Sequence, residues 1–419
     1  MTTPARASSP LLSLLLALAP APALAQESAG DPWPQWRGPT RDGRDSGPAW
    51  PAELTEERVQ PLWRVELGPS YAGPVVVGGR VFSVETEDEE HEVVRAFDRS
   101  SGVELWQTRW EGAMEVPFFA ASRGSWVRAT PACDGESLFV AGMRDVLVCL
   151  DAATGEERWR VDFTERAGTP LPSFGFVCSP LVVGEHVYVQ AGGAFVKLDK
   201  RTGVTVWRSM ADQGGMMDGA FSSPVMAELH GVTQLVVQSR AELAGVRPQD
   251  GEVLWSTPIQ SFRNMNILTP LVVGNTVFTS AYGGRGQLLQ IDRGEDGFEV
   301  ERAWDNRSQG YMTSPVVLDG HAYLFLRSNR FTCVELATGE VAWTSGPTGD
   351  EYWSLVLQGD RLLALADTGR LRLVQATPEE YRELGAVELV DGSSWAHLAV
   401  SGSQLFVREL NALSAFAWE

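Results

Sequence analysis

Trp63, Trp106, Trp159, Trp207, Trp255, Trp304 and Trp343 follow one another at intervals of 43, 53, 48, 48, 49 and 39 residues. A near-constant period of roughly 40–50 residues marks a repeat array, in which each unit buries its hydrophobic face only by packing on its neighbours. The tryptophan closes a unit that opens on Ser/Thr-Pro, passes through two hydrophobic stretches separated by a Gly turn, and then reaches Asp-x-x-Thr-Gly. Its clearest copies run from Thr130 to Trp159, Ser179 to Trp207 and Ser314 to Trp343. Looser ones run from Gly73 to Trp106, Ser223 to Trp255 and Thr269 to Trp304.

Four strands can be read within a unit. Leu181–Val183 and Val187–Val189 flank a Gly184-Glu185-His186 hairpin, Phe195–Leu198 is a third strand, and Val204–Trp207 a fourth. Between the last two, Asp199 can hydrogen-bond the backbone ahead of it while Gly203 accepts positive φ. Four short strands per period describe a propeller blade. Gly102, Gly155, Gly203, Gly251 and Gly339 each precede their tryptophan by four residues, so the spacing predicts one fixed depth for the ring, as a wedge between blades.

After Trp343 come two degenerate units. The first, Ser354 to about Leu384, has Ala376-Thr377-Pro378 at its turn and no closing tryptophan; the second, His397 to Trp418, stops after three strands. Leu62–Leu67, ahead of the first full unit, is the candidate for the missing strand. Joining both ends in one blade closes the ring and removes exposed sheet edges. The expected fold is therefore all-β: an eight-bladed propeller over residues 61–419, with seven blades as the alternative because one copy is weak.

Residues 1–25 read as a cleavable secretory signal: Arg6, an apolar run from Leu11 to Ala19, and Ala23-Leu24-Ala25 before Gln26. Residues 26–60 read as a leader or linker, and the mature product as periplasmic or secreted. No stretch is long and apolar enough for a transmembrane anchor. The net charge of −20 argues against a nucleic-acid partner, because phosphate binding requires excess Lys and Arg. Cys133, Cys149, Cys178 and Cys333 are too few for a disulfide scaffold. Cys149 and Cys333 share one core-facing register, which favours buried free thiols.

These repeats resemble the pyrroloquinoline-quinone-like (PQQ-like) propeller family with its tryptophan-docking blades, over about residues 61–419. The segments Trp33–Gly43, Asn264–Pro270 and Ala281–Gly286 resemble those of secreted members from planctomycete-type bacteria. The resemblance implies a fold more than an activity. The family includes quinoprotein dehydrogenases and non-catalytic scaffolds, among them the propeller lipoprotein that helps assemble outer-membrane β-barrels. The dehydrogenases place two adjacent, disulfide-joined cysteines over the cofactor and hold calcium with a Glu/Asn/Asp set. Here the nearest cysteines are Cys133 and Cys149. No cofactor is expected, with PQQ and calcium as the alternative that the resemblance carries.

Other clusters offer little chemistry. Asp292, Asp296 and Glu299 align with an ordinary hairpin, and the acidic run Glu85–Glu92 around His91 reads as a solvated loop. His186, His230 and His321 fall in equivalent hairpins of three blades and are spread around one rim. His397 opens the innermost strand of the last blade and could face the channel.

The opposite rim is richer. Segments ahead of the innermost strands supply Tyr71, Trp126, Phe176, Phe221, Asn266, Tyr311, Met312, Tyr352, Trp353 and Trp395. Loops between the second and third strands supply Arg144, Arg240, Arg285, Arg327, Arg330 and Arg408. Gly214–Gly219 adds a Met-bearing loop to this rim. Aromatics and arginines concentrate binding energy at interfaces, although the same residues could plug the channel or pair with nearby acids such as Asp145 and Glu242. The sequence thus points to an exported, monomeric, non-enzymatic scaffold that recognises a protein, peptide or envelope polymer at this collar. A quinoprotein oxidoreductase and a carbohydrate-binding propeller are the alternatives.

Overall fold

The second and third strands of each unit are apolar throughout rather than alternating, which is the pattern of strands covered on both faces. Ser137–Gly142 is buried from end to end and Val146–Asp151 nearly so, whereas the outer strand Thr205–Ser209 alternates between partly and fully exposed residues. A computed structural model describes residues 1–2, 32–212 and 220–418. It contains eight four-stranded antiparallel sheets. Blades 1 to 7 occupy residues 75–111, 132–162, 181–209, 225–258, 271–306, 316–344 and 353–388.

Blade 8 combines the two chain ends. Its inner three strands lie within residues 399–418, and Val59–Glu66 pairs antiparallel with Ala412–Trp418 as the fourth strand. Both the eight-blade count and the closure read from the sequence hold. The signal segment and the Gly214–Gly219 loop lie outside the described residues. Among those described, no helix is long and apolar enough to cross a membrane.

The periodic tryptophans wedge adjacent blades together. The rings of Trp63, Trp106, Trp159, Trp207 and Trp304 lie on the turn glycine of the next blade: Gly102, Gly155, Gly203, Gly251 and Gly339. A Cβ added at any of these glycines would approach the ring to 2.8 Å or less. Each indole N–H donates to a carbonyl of that same turn, as from Trp159 to Lys200 at 2.9 Å and from Trp304 to Leu336 at 2.7 Å. Trp255 departs from the expected pattern. The next blade has a longer hairpin there, and Trp255 turns inward to Gln234 Oε1 at 2.7 Å.

Blade 7 lacks the wedge because Gly385, opposite Leu373, occupies the register position that Trp343 holds opposite Cys333 in blade 6. The leader takes up part of the space. The Leu54 backbone packs against Gly385, and buried Trp50 meets Trp418 edge-on at 6.0 Å. Beyond them an open cleft of about 920 Å³ remains between blades 7 and 8, lined in part by Leu62, Arg64, Val390, Glu409 and Phe416.

Candidate functional site: a plugged channel and a lid over its mouth

The leader contains Trp33-Pro34-Gln35-Trp36-Arg37-Gly38-Pro39-Thr40-Arg41-Asp42-Gly43, in which small and turn-forming residues surround two tryptophans and two arginines. Arg37, Gly38, Arg41 and Gly43 all adopt positive φ, coiling the segment tightly enough to enter the channel. Once inside, it bonds to inner strands around almost the whole ring. Trp33 pairs with Val76 of blade 1, Pro34 O accepts from Cys133 N of blade 2, and Gly43 O accepts from Leu357 N of blade 7. Trp36 Nε1 donates to Thr269 Oγ1 ahead of blade 5 at 3.0 Å.

Both arginines are buried and donate to carbonyls. Arg41 donates to Pro180 O at 2.6 Å and Ser179 O at 3.0 Å; Arg37 donates to Asp42 O at 2.9 Å and to Pro315 O. Burial lowers each guanidinium to about 10, so both remain charged at neutral pH. His397 lies beneath this plug, stacked on Trp33 and edge-on to Trp36 with its ring centroid 5.0 Å away. Burial, reinforced by the Arg37 charge, lowers its imidazole to about 3 and keeps it neutral.

At the collar, the connection from blade 1 to blade 2 forms a lid. A turn at Pro117–Ala120 leads into a short helical turn, Ala121–Arg123. Tyr71 OH donates to Arg123 O, the Arg123 side chain pairs with Glu351 at 2.6 Å, and its guanidinium lies 5.1 Å from the Trp395 ring. The lid tip is apolar and open: Phe118 is 90% exposed and Phe119 49%. From this tip a ladder of rings and guanidiniums crosses the mouth. Arg263 lies 5.3 Å from Phe119 and 5.2 Å from Phe262; Phe262 contacts Tyr282 at 5.0 Å; Arg327 lies 4.2 Å over Tyr282. Arg263 and Asn264 are consecutive left-handed residues. Asn adopts that conformation readily, whereas Arg does so at a cost.

The structure divides the residues expected at the collar. Arg327 is exposed, Tyr311 is half-buried against Tyr282, and Tyr71, Phe221 and Trp395 line the mouth half-buried. Arg144 is exposed, and Trp126 and Met312 are intermediate. Arg240 pairs with Asp212 at 2.6 Å, and Arg285 pairs with Asp305. The others are built into the fold. Phe176 is buried against Phe163, and Asn266 donates to Ser239 O and Arg240 O. Arg330 donates to Ser345 O at 2.7 Å. Buried Arg408 donates to Ser83 Oγ and to the carbonyls of Gly68, Glu409, Leu410 and Ala412.

The aromatic faces that a sugar would need are largely covered. Buried Trp353 has Phe325 stacked on it and Arg372 at 5.0 Å, and Trp395 has Tyr352 stacked on it with Arg123 nearby. The arginines and rings of the lid escaped the sequence reading. Phe118, Phe119, Arg123, Phe262 and Arg263 belong to connections between blades, outside the repeat register. For Phe118, Phe119 and Arg123 the signals are the length of the first connection and its adjacent phenylalanines; Phe262 and Arg263 lie between blades 4 and 5, directly ahead of Asn264–Pro270.

The acidic run Glu85–Glu92 is not the solvated loop expected. Its middle forms a turn, but Glu85 and Glu92 lie in strands and face inward. Glu85 pairs with Arg95 at 2.6 Å and accepts from Gly68 N. Glu92 accepts from Trp110 Nε1 at 2.8 Å and from Met143 N of blade 2 at 2.5 Å. Burial raises it to about 7.

The axis does not fit a quinone with calcium. Its polar groups among the described residues are two guanidiniums bonded to carbonyls, a neutral imidazole, the Gln35 amide and the Thr269 hydroxyl, and its nearest carboxylates are not grouped: Asp42 lies beside Arg37 and Asp45 accepts from Trp50 and Gln358. Among the described residues, no group of three or more His, Cys, Asp or Glu could hold a metal ion, and the four buried cysteines are unpaired.

A family model described as outer membrane protein assembly factor BamB matches residues 90–345, more than half of the chain. The outer membrane protein assembly factor BamB of Yersinia pestis is 25% identical over 306 residues, covering 67% of this chain and 73% of that protein. Among solved structures, BamB from Moraxella catarrhalis superposes with a TM-score of 0.58 at 15% identity, over 86% of this chain and 98% of the other. A europium-containing methanol dehydrogenase reaches 0.53 at 12% identity, over 92% and 98%. At those identities the structural likenesses show the fold.

Proposed function

This chain belongs to the family of the outer membrane protein assembly factor BamB, and on that footing we propose that it is an exported, non-enzymatic scaffold that docks a partner protein on the lidded face of the propeller. The family supports a role in protein assembly, because its relatives' names place them in assembly of outer membrane proteins. The observation that carries the choice of face is the lid tip. Phe118 and Phe119 stand in solvent at the end of a loop that Tyr71, Glu351 and Trp395 hold in place. Burying one such ring in a partner contributes about 1.5–3 kcal/mol, and a tethered loop loses little entropy in presenting it. The channel filled by Trp33–Gly43, whose arginines are bonded to backbone carbonyls, favours this reading over the quinoprotein one.

Site-specific photo-crosslinking in cells tests it. A photoreactive residue at Phe118 is expected to capture one or a few discrete proteins, and the same probe at Val206, exposed on the outer strand of blade 3, to capture none of them. Equal capture at both positions, or no protein captured at Phe118, would remove the reading.

A further inference from the structure

Two sets of arginines at the mouth differ in what they touch. Arg123, Arg240 and Arg285 each pair with a carboxylate of this chain. Arg263 and Arg327 are exposed, and among the described residues their guanidiniums contact aromatic rings with no ion pair or side-chain hydrogen bond. A guanidinium stacked on rings has its planar face occupied, while the N–H groups around its edge remain available as a fork for carboxylates. Phe119 and Phe262 flank Arg263, Tyr282 supports Arg327, and the Phe262–Tyr282 contact joins the two halves. In a chain with 54 acidic and 34 basic residues, two arginines that form no ion pair with any of the described residues make a local cationic surface prepared in advance.

We propose that this Arg263–Arg327 ladder is a carboxylate receptor that docks an acidic segment of the partner protein, with an apolar residue of that segment packing against Phe118. The proposal rests on the protein-binding reading above and names the chemistry of the partner. Aspartate or glutamate side chains meet the two forks, while Phe118 supplies apolar contact beside them. A protein segment fits better than an anionic membrane, because a short acidic segment can meet the two forks alone within a screening length, whereas a bilayer would face the whole net charge of −20. The supporting rings fix the guanidiniums before binding, so less conformational freedom is lost when a carboxylate arrives.

Fluorescence anisotropy with labelled peptides tests this on the purified mature chain. The probes are an alternating Asp–Leu dodecapeptide and its Asn–Leu and Lys–Leu counterparts. The Asp–Leu peptide is expected to bind about tenfold more tightly than the Asn–Leu peptide, and the Lys–Leu peptide most weakly. The Arg263→Gln/Arg327→Gln double variant should reduce Asp–Leu binding to the Asn–Leu level. Arg263→Lys/Arg327→Lys, which keeps charge but not the fork, should recover only part of it. Equal binding of the Asp–Leu and Asn–Leu peptides, or an unchanged double variant, overturns the proposal. So does arginine-dependent cosedimentation with phosphatidylglycerol vesicles that the Asp–Leu peptide does not compete away. If crosslinking at Phe118 captures a partner equally well in the double variant, only the carboxylate inference falls; if Phe118 captures nothing, the protein-binding reading falls with it.

Discussion

Along the axis, Arg37 and Arg41 are fully buried and donate to backbone carbonyls of several blades, and Arg408 does the same between blades 8 and 1. At the mouth, Arg263 and Arg327 are exposed and rest on aromatic rings. Burial lowers all three interior guanidiniums to about 10, which leaves them charged at any physiological pH. Carbonyls accept nearly all of their hydrogen bonds, while Asp42 near Arg37 and Glu85 and Glu409 near Arg408 add charge from a distance. The same residue type therefore staples the ring in one place and, on the proposal above, receives an outside partner in the other. Substitutions on the axis should register in stability, and those at the mouth in binding.

The largest expected effect is on the axis. Arg37→Met keeps much of the side-chain volume but leaves the carbonyls of Asp42 and Pro315 without their donor. A buried acceptor without a partner costs about 1–3 kcal/mol, so the expected loss is about 3–5 kcal/mol in urea-unfolding free energy. A loss below about 1 kcal/mol would mean that the leader merely rests in the channel, and the contrast with the mouth would collapse.

A buried acid sharpens the contrast from the other side. Glu92 lies between blades 1 and 2 with neutral donors only, and burial raises it to about 7 from an ordinary 4.5. Between those values the unfolded chain ionises while the folded chain keeps its proton, so the unfolded state binds fewer protons. Stability is then fully present below about pH 4.5 and falls as pH rises toward 7, by at most about 1.4 kcal/mol per unit. From pH 5 to 8 the wild type should lose about 2–3 kcal/mol relative to Glu92→Gln, measured by urea unfolding at each pH. Parallel profiles would show that Glu92 ionises without penalty, and that the interior tolerates a carboxylate as it does the axial arginines.

The propeller was legible because periodicity is a property of the chain itself. The Trp-to-Trp interval, the turn glycines and a three-stranded last copy point to eight blades and to Leu62–Leu67 as the closing strand, which the structure places at Val59–Glu66 against Ala412–Trp418. The plug was not legible, because a segment that occurs once has no register. Trp33–Gly43 stood out by its resemblance, but only packing shows Arg37 and Arg41 reaching Pro315 and Pro180. At the collar the repeat register placed residues on the correct rim without resolving their burial. Arg327 and Arg408 occupy equivalent loops, yet one is exposed and the other is enclosed because Gly68 and Ser83 close over it. Gly385 shows a further limit: a missing tryptophan marks a gap, but the sequence does not say that Trp50 and Leu54 fill part of it.

The smallest expected effect is the one on which the comparison depends. Arg327→Gln removes one exposed ring contact, an interaction of about 0.5–1 kcal/mol, and leaves no buried group unpaired. Phe118→Ser removes a side chain that is 90% exposed. Each change should therefore alter the unfolding free energy by less than about 1 kcal/mol, against the several expected for Arg37→Met. Thermal and urea unfolding of the three variants under one set of conditions measures this directly. If Arg327→Gln or Phe118→Ser cost as much as Arg37→Met, the lid would be part of the scaffold, and lost partner binding could not be separated from lost structure. If both are close to neutral, any loss of crosslinking or peptide binding belongs to the surface, because the fold that presents it is intact.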